Sequence, residues 1–318
     1  MSVYLPCNSG SSAEVRSVLN YLAGLRGNGI LLGQHTQTTA QEELAYIRNV
    51  TGKEPALCGF ELLAYSPNIN YRESTQECLI EVEENKNTLE LAMVWARRKG
   101  LITFTWHWFS PLYGKDKAFY QRNTPFDARL ALEEGTPERK AFISDMDTMA
   151  ELLKPFCQQR IPVLWRPFHE ANGDWFWWGS HGPQTARGLW LDMYQRYTKV
   201  HELNNLIWVW NSPVPEGYVG DEYCDVISRD VYQAEYTHTD CREEYDELML
   251  ITKADKISAL GETGPVPGIS ALSRTRVPWT WFMTWSKGVC YNRTSAEELK
   301  AAYDCDYGVT LDKLPALY

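Results

Sequence analysis

No run of about 18 apolar residues occurs in the 318-residue chain, so no segment has the length and apolarity of a membrane-spanning helix. A basic excess is missing as well. The 31 lysines and arginines are outnumbered by 41 acidic residues, and the net charge of −10 repels nucleic acid and anionic membrane while suiting a neutral or cationic partner. The eight cysteines (Cys7, Cys58, Cys78, Cys157, Cys224, Cys241, Cys290 and Cys305) include no CxxC pair and no metal-like spacing. Several lie in apolar runs, so most are expected to be reduced, buried thiols. No Gly-rich phosphate turn follows an early strand; Gly33-Gln34-His35 stands in its place, which argues against a doubly wound nucleotide-binding sheet. No Pro-, Gly- or Ser-rich linker and no repeat of about 20 to 50 residues divides the chain, so 1–318 reads as one domain and a monomer is expected. Met1 to Gly10 lacks the basic-then-apolar pattern of an export signal. A cytoplasmic location is therefore expected for the chain as it stands, with a processed extracellular enzyme as the alternative.

Aromatic side chains, by contrast, are abundant: 13 Trp and 18 Tyr, flat groups that stack on the apolar faces of sugar rings or fill cores. Composition does not separate those two uses. Order along the chain is more informative. Short apolar runs, each followed by a segment of helical spacing, fall at Ile30–Gln34, Ala56–Leu62, Leu101–Trp106, Pro162–Arg166, Leu206–Trp210, Val226–Asp230, Ser258–Gly261 and Trp279–Trp285. Helices are predicted at Gln41–Val50, Leu79–Arg98, Ala141–Gln159, Leu189–Leu203, Glu243–Ala254 and Ala296–Asp304, with short or irregular ones after strands five and seven. A further helix, Ala13–Leu25, precedes strand one. Strands that are apolar throughout are buried on both faces, as in a parallel sheet covered by helices. Eight strand–helix pairs imply an α/β fold of the closed (β/α)8 TIM-barrel type, which usually takes about 250 residues or more.

In such a barrel the active site gathers at the C-terminal ends of the strands. The residues there are unusually polar: Gln34 and His35 after strand one, Glu61 at strand two, His107 and Trp108 after strand three, Arg166, His169 and Glu170 at strand four, Asn211 at strand five, Asp230 and Tyr232 at strand six, Glu262 at strand seven and Trp285 at strand eight. Glycosidic hydrolysis needs one carboxylic acid to protonate the leaving oxygen and one carboxylate to attack or to guide water. Glu170 and Glu262, on opposite sides of the mouth, are the candidate pair. A separation of roughly 5 to 5.5 Å would give retention and one of roughly 6.5 to 9.5 Å inversion.

The run from Arg166 to Gly179, RPFHEANGDWFWWG, resembles the acid/base signature of glycoside hydrolase family 26, whose best known members are β-mannanases. Further matches are Gly33-Gln34-His35, Trp106-His107-Trp108, Trp208-Val209-Trp210-Asn211, Asp230-Val231-Tyr232, Gly261-Glu262-Thr263-Gly264 and Met283-Thr284-Trp285, so the resemblance covers almost the whole chain. It implies a retaining endo-β-1,4-mannanase acting on β-mannan or mannooligosaccharides without metal or organic cofactor, with Glu170 as acid/base and Glu262 as nucleophile. Arg166 and Tyr232 would then orient Glu262 and hold it ionised, and His169 would adjoin and tune Glu170. His107, Trp175 and Trp285 would line the sugar subsites, and His35, Trp108, Asn211 and Glu61 are further candidates for substrate binding.

Plainer roles stand beside these: Arg166 as a structural ion pair at the rim, Trp177 and Trp178 as covers for the loop after strand four, His35 as a pocket wall, Asn211 as a strand cap. Glu61 stands where many members carry Asp, and the loop Ser66–Glu73 (SPNINYRE) is placed to reshape one end of the cleft. Exo-acting mannobiohydrolases, mixed-linkage β-glucanases and β-1,3-xylanases share the same catalytic residues. A metal-dependent barrel hydrolase would use His35, His107, His169 and Asp230, but strand one lacks a second His beside His35, and His169-Glu170 lacks one four residues on. A non-catalytic sugar-binding module gives no role to a paired Glu170 and Glu262.

Overall fold

The computed structural model describes residues 3–286 and 292–318; Cys290 lies outside them. Eight parallel strands close on themselves: β1 (Ile30–Thr36), β2 (Leu57–Glu61), β3 (Leu101–Thr105), β4 (Val163–Arg166), β5 (Leu206–Asn211), β6 (Val226–Val231), β7 (Ile257–Thr263) and β8 (Trp279–Thr284). Each pairs with the next, and β8 pairs back onto β1 through Leu31 opposite Trp281 and Gln34 opposite Thr284. Every residue of β1 to β5, β7 and β8 is buried, as the all-apolar runs require of a sheet covered on both faces. A two-residue strand that the sequence did not suggest, β9 (Gly308–Val309), joins β1 at its start.

Alternation along each strand divides the core in two. One set of side chains, including Leu31, Leu57, Leu101, Leu164, Ile207, Val226, Ile257 and Ala259, forms a cluster with Val15, Val18, Leu19 and Leu22 of α1 (Ala13–Leu25). Helix α1 therefore closes the N-terminal end of the barrel, away from the polar strand ends. The other set, including Phe60, Phe104, Trp165, Trp208 and Trp210, meets the surrounding helices. Most of the tryptophan is core: Trp106, Trp108, Trp165, Trp177, Trp178, Trp190, Trp208, Trp210, Trp279 and Trp281 are all fully buried. The cysteines among the described residues are free thiols.

The helices depart from expectation where short-range chemistry overrides periodicity. The single helix predicted over Leu79–Arg98 is two, α3 (Gln76–Glu84) and α4 (Thr88–Arg97). Asn87 between them takes a left-handed φ of 67°, and the Thr88 hydroxyl donates to the Glu61 carbonyl oxygen at 2.9 Å, tying the break to the end of β2. After α2 (Glu42–Thr51) and these two come α5 (Pro137–Gln158) and α6 (Pro183–Gln195), both of which begin earlier than predicted. Each starts with a proline, whose missing N–H costs nothing in the first helical turn, and apolar periodicity does not register that turn. Helix α6 runs on into a π turn over Arg196–Val200. Helix α7 (Arg242–Leu248) gives way to a 3₁₀ turn at Met249, earlier than predicted. After β5 there is only a 3₁₀ turn, and α8 (Ile269–Thr275) after β7 is short, as expected; α9 (Ala296–Asp304) keeps its predicted bounds.

Buried Asp145 on α5 makes one testable contribution to stability. It accepts hydrogen bonds from Trp108 Nε1 (2.8 Å) and from the Asn68 amide (3.0 and 2.9 Å), with no cation among these partners. Burial dominates and pushes its carboxyl from 3.8 up to about 7, against those donors. The folded state thus binds a proton that the unfolded state has released, so stability falls as pH rises from about 4 to 7, by at most on the order of 4 kcal/mol. Asp145→Asn removes that titration, and a flip of the Asn68 amide restores the pairing. Thermal unfolding should show the variant melting a few degrees above the parent at pH 8 and close to it at pH 4. Equal melting temperatures at pH 8 would contradict this account.

Candidate active site

The polar strand ends meet at the C-terminal mouth of the barrel. Arg166, the last residue of β4, shares the inward side with Leu164 and is fully buried. Its guanidinium reaches three groups: Asp230 of β6 (3.1 Å), the Thr105 hydroxyl of β3 (3.0 Å) and Glu262 Oε1 of β7. The other Glu262 oxygen accepts from the Tyr232 hydroxyl at 2.7 Å. Both oxygens of this nearly buried carboxylate are therefore held by donors. Burial works against the Arg166 charge, but the adjoining Asp230 and Glu262 raise its pKa further, so the cation is permanent.

Glu262 is turned inward by an extra residue. Opposite β6, Ser228 pairs with Ala259 and Arg229 with Leu260, but Asp230 pairs with Glu262, leaving Gly261 as a bulge. The bulge shifts the alternation by one, so Glu262 shares the inward side of Ala259. Only glycine fits there: a Cβ at position 261 would lie 2.6 Å from Asp230 Oδ1 and 2.7 Å from Asn211 Nδ2.

Glu170 sits in the turn after β4, where Phe168 and Glu170 both take φ of 51°. Such left-handed non-glycine residues persist where their surroundings over-determine them. Here Asn211 at the end of β5 accepts from the Glu170 backbone N–H at 2.6 Å and donates to Asp230 at 2.8 Å. Glu170 and Glu262 are thus linked through Asn211, Asp230 and Arg166. The Glu170 carboxylate accepts from Trp175 Nε1 at 2.8 Å. Burial and the charge of Asp230 raise its pKa; Trp175, Arg166 and His107 act in the opposite direction. Burial, aided by the charge of Glu262, also lifts Asp230 up to about 7, against the opposing pull of Arg166 and Asn211.

A second layer rests on Glu61, which is wholly buried. Its Oε1 accepts from the backbone N–H groups of Leu62, Leu63 and His107, each at 2.9 Å, and its Oε2 meets His107 Nδ1 at 2.7 Å. Burial opposes a charge on His107, but Glu61 overcomes it and raises the pKa. His107 Nε2 faces His169 Nε2 at 3.2 Å, and the fully buried His169 has its pKa driven well down by burial and by charged His107. This favours a His107 Nε2–H donating to a neutral His169. His107 also packs edge-on to Phe119, Phe176 and Trp285, and Trp285 stacks on His35 at 4.1 Å between centroids.

The structure sorts the sequence candidates into two groups. Glu170, Glu262, Arg166, His107, His169 and Tyr232 come together at the mouth, with the half-exposed Trp175 and partly open Trp285 at its edge. Trp108 does not. It is buried between Trp106 and Phe142, donates to Asp145 and corrects its expected place among sugar-binding residues. Glu61 and Asn211 are likewise enclosed, with their hydrogen bonds turned to His107 and to Glu170, so they position site residues instead of presenting groups to a sugar. His35 is buried as the backing of Trp285, and burial drives its pKa well down. Trp177 and Trp178 are core, donating to the Trp108 and His169 carbonyl oxygens. Sequence reasoning gave Asp230 no role except in the metal alternative, although its place two residues before Tyr232 marked it. It missed Thr105 and Phe119, which nothing in their local sequence distinguishes from core, and it did not single out Phe176 within the Arg166–Gly179 run. Among the described residues, no cluster of three or more His, Cys, Asp or Glu is arranged to hold a metal.

The family model for glycosyl hydrolase family 26 matches residues 7–313. The chain belongs to this family. A mannan endo-1,4-beta-mannosidase of Thermothelomyces thermophilus is 36% identical over 317 residues, which cover 96% of this chain and 62% of that protein; the chain thus spans less than two thirds of that relative. A Podospora anserina GH26-CBM35 beta-(1,4)-mannanase superposes with a TM-score of 0.89 at 32% identity, over 99% of this chain and 69% of that one. A solved structure of nearly the same extent is the beta-mannanase from a symbiotic protist of the termite Reticulitermes speratus, complexed with gluco-manno-oligosaccharide. Its TM-score is 0.87 at 29% identity, with 98% of each chain covered.

Proposed function

We propose that the chain is a retaining endo-β-1,4-mannanase that cleaves β-mannan backbones by double displacement, with Glu262 as nucleophile and Glu170 as acid/base. The observation that carries this reading is the unequal treatment of the two carboxylates. Glu262 has a donor on each oxygen, one of them a permanent cation, whereas Glu170 is raised by burial beside a second acid. A carboxyl oriented by a donor on each oxygen suits attack, and one that burial raises suits proton donation. Glu262 attacks the anomeric carbon as Glu170 gives its proton to the departing oxygen; Glu170 then takes a proton from the water that releases the glycosyl group. The likeness to mannan-cleaving relatives supplies the substrate class.

The test is parallel product analysis on linear mannan, galactomannan, glucomannan, mixed-linkage glucan and β-1,3-xylan, with the anomeric configuration of the first product followed by NMR. Internal cuts in the mannans and a β-configured first product are expected. Preferred cleavage of glucan or xylan, release of mannobiose alone, or an α-configured product would each overturn part of the reading.

Trp175 tunes the acid. Its N–H stabilises the ionised form of Glu170 and so lowers the pKa. Trp175→Phe removes that donor, and the protonated acid then persists to higher pH. The alkaline limb of the kcat/KM profile should therefore move upward, while KM rises from loss of the indole. A limb that stays put or moves down would refute the role.

A further inference from the structure

The loop after β4 carries a glycine that its own backbone does not account for. Gly173 is buried and, unlike Phe168 and Glu170 before it, lies outside the left-handed region, so its conformation is open to any L-residue. What excludes a side chain there is Trp175. A Cβ on residue 173 would lie 2.3 Å from the indole Cη2 and Cζ2 and 2.5 Å from Cε2, the carbon that bears Nε1. The indole therefore lies directly on the Gly173 backbone, and from that seat its Nε1 donates to Glu170 at 2.8 Å. Gly173 N in turn donates to the Glu170 carbonyl oxygen at 2.9 Å, so acid, seat and indole belong to one turn.

The backbone of Trp175 is pinned from the β3 loop. Gln121 N donates to the Trp175 carbonyl oxygen at 2.7 Å, Trp177 N donates to that of Phe119 at 3.1 Å, and Tyr120 forms an antiparallel bridge with Phe176 between them. The Tyr120 ring stacks on Phe176 at 5.6 Å between centroids, with the Arg122 guanidinium 5.0 Å from the Tyr120 ring centre. With its main chain fixed in this way, the half-exposed Trp175 has only its side-chain torsions left to decide whether the indole rests on Gly173 or swings out to solvent.

Resting on the proposed function, we infer that Gly173 is a positioning residue for the acid/base: the bare backbone at 173 is the seat that aims the Trp175 N–H at Glu170. Gly173 acts through the indole, not on the sugar.

The decisive variant is Gly173→Ala. Its methyl meets the indole first, and a half-exposed ring can move aside, so the fold should be kept. The charged and titratable groups around Glu170 are Arg166 of β4, Asp230 of β6, Tyr232 after β6, and His107 and Tyr120 of the β3 loop; none is among the atoms nearest the new methyl. The alkaline limb of kcat/KM should move up by about half to one pH unit, the size expected for losing one hydrogen bond to the ionised acid. In a Trp175→Phe background the same substitution should leave the limb where Trp175→Phe alone has put it, because the donor is already gone. A limb that stays put in Gly173→Ala, a further shift in the double variant, or a Gly173→Ala chain that does not fold would each overturn the inference, the last by placing the constraint in the backbone. A parent enzyme inactive on every β-mannan would instead overturn the function proposed above. The indole N–H resonance of Trp175, assigned by its loss in Trp175→Phe, then decides the seat alone: it should follow the ionisation of Glu170 in the parent and cease to do so in Gly173→Ala, and a resonance that behaves alike in both proteins rejects it.

Discussion

Glu262→Ala should lower kcat/KM on every mannan substrate by about 10⁴-fold or more, a loss on the order of 5 kcal/mol of transition-state stabilisation. The buried carboxylate is oriented through both oxygens, by Arg166 and by Tyr232, and neither of those groups is itself a nucleophile of comparable reach. With Glu262 gone there is no partner for covalent attack, and no remaining side chain takes over the step. Collapse of the fold is not the expected cause, because Arg166 keeps its ion pair with Asp230 and its bond to Thr105, so the vacated charge is not left wholly unpaired. Circular dichroism and a melting temperature near the parent would check that. A small anion such as azide, given an aryl mannoside with a good leaving group, should enter the vacated space and yield an α-glycosyl azide, a single inversion that identifies the missing group as the one that attacks. A variant within tenfold of parent turnover would remove Glu262 from the mechanism.

Why much of this was legible in the sequence, and some was not, follows from how a strand alternates. Strand positions stood out because a barrel strand is buried on both faces, and the polar groups that interrupt such runs at their ends are exceptional. Knowing that a residue lies at a strand end does not say which way it points. Thr105 and His107 face the mouth, so Trp106 and Trp108, one place out of phase, go together into the helix layer, where they stack at 4.0 Å. Trp108 read as a subsite wall because it adjoins His107 at the end of strand three. Glu262 shows the opposite case: strict alternation from Ala259 would have turned it outward, and the bulge at Gly261 that turns it inward depends on contacts with Asp230 and Asn211 from other strands. Glu61 and Asn211 were recognised as site residues but not as supports, because support is defined by partners distant in sequence, His107 and Glu170. The break at Asn87 and the early starts of α5 and α6 are local, yet they rest on one left-handed residue and on prolines, signals weaker than the apolar period they interrupt.

Glu170→Ala separates the two halves of the reaction, and its effect should depend on what leaves. On polysaccharide the departing group is a sugar alkoxide, which needs its proton in the transition state, so kcat/KM should fall about 10³-fold, within the range that general acid catalysis supplies. A dinitrophenyl mannobioside leaves without that proton, and its kcat/KM should fall less than about tenfold. Its kcat should nevertheless drop steeply, because the second half-reaction still needs a base to activate water. The glycosyl-enzyme on Glu262 should accumulate and show itself as a burst of phenolate followed by a slow steady state. The raised pKa of Glu170 gives the matching signature in pH: the parent loses kcat/KM on polysaccharide as pH rises through that value and the acid ionises, and the variant lacks this alkaline limb. The contrast between leaving groups carries the assignment. Similar losses on polysaccharide and on the activated substrate, with no burst, would mean that position 170 shapes the site without moving a proton. The acid would then have to be sought among the other groups at the mouth, beginning with Asp230, whose carboxyl is also raised but is locked between Arg166 and Asn211.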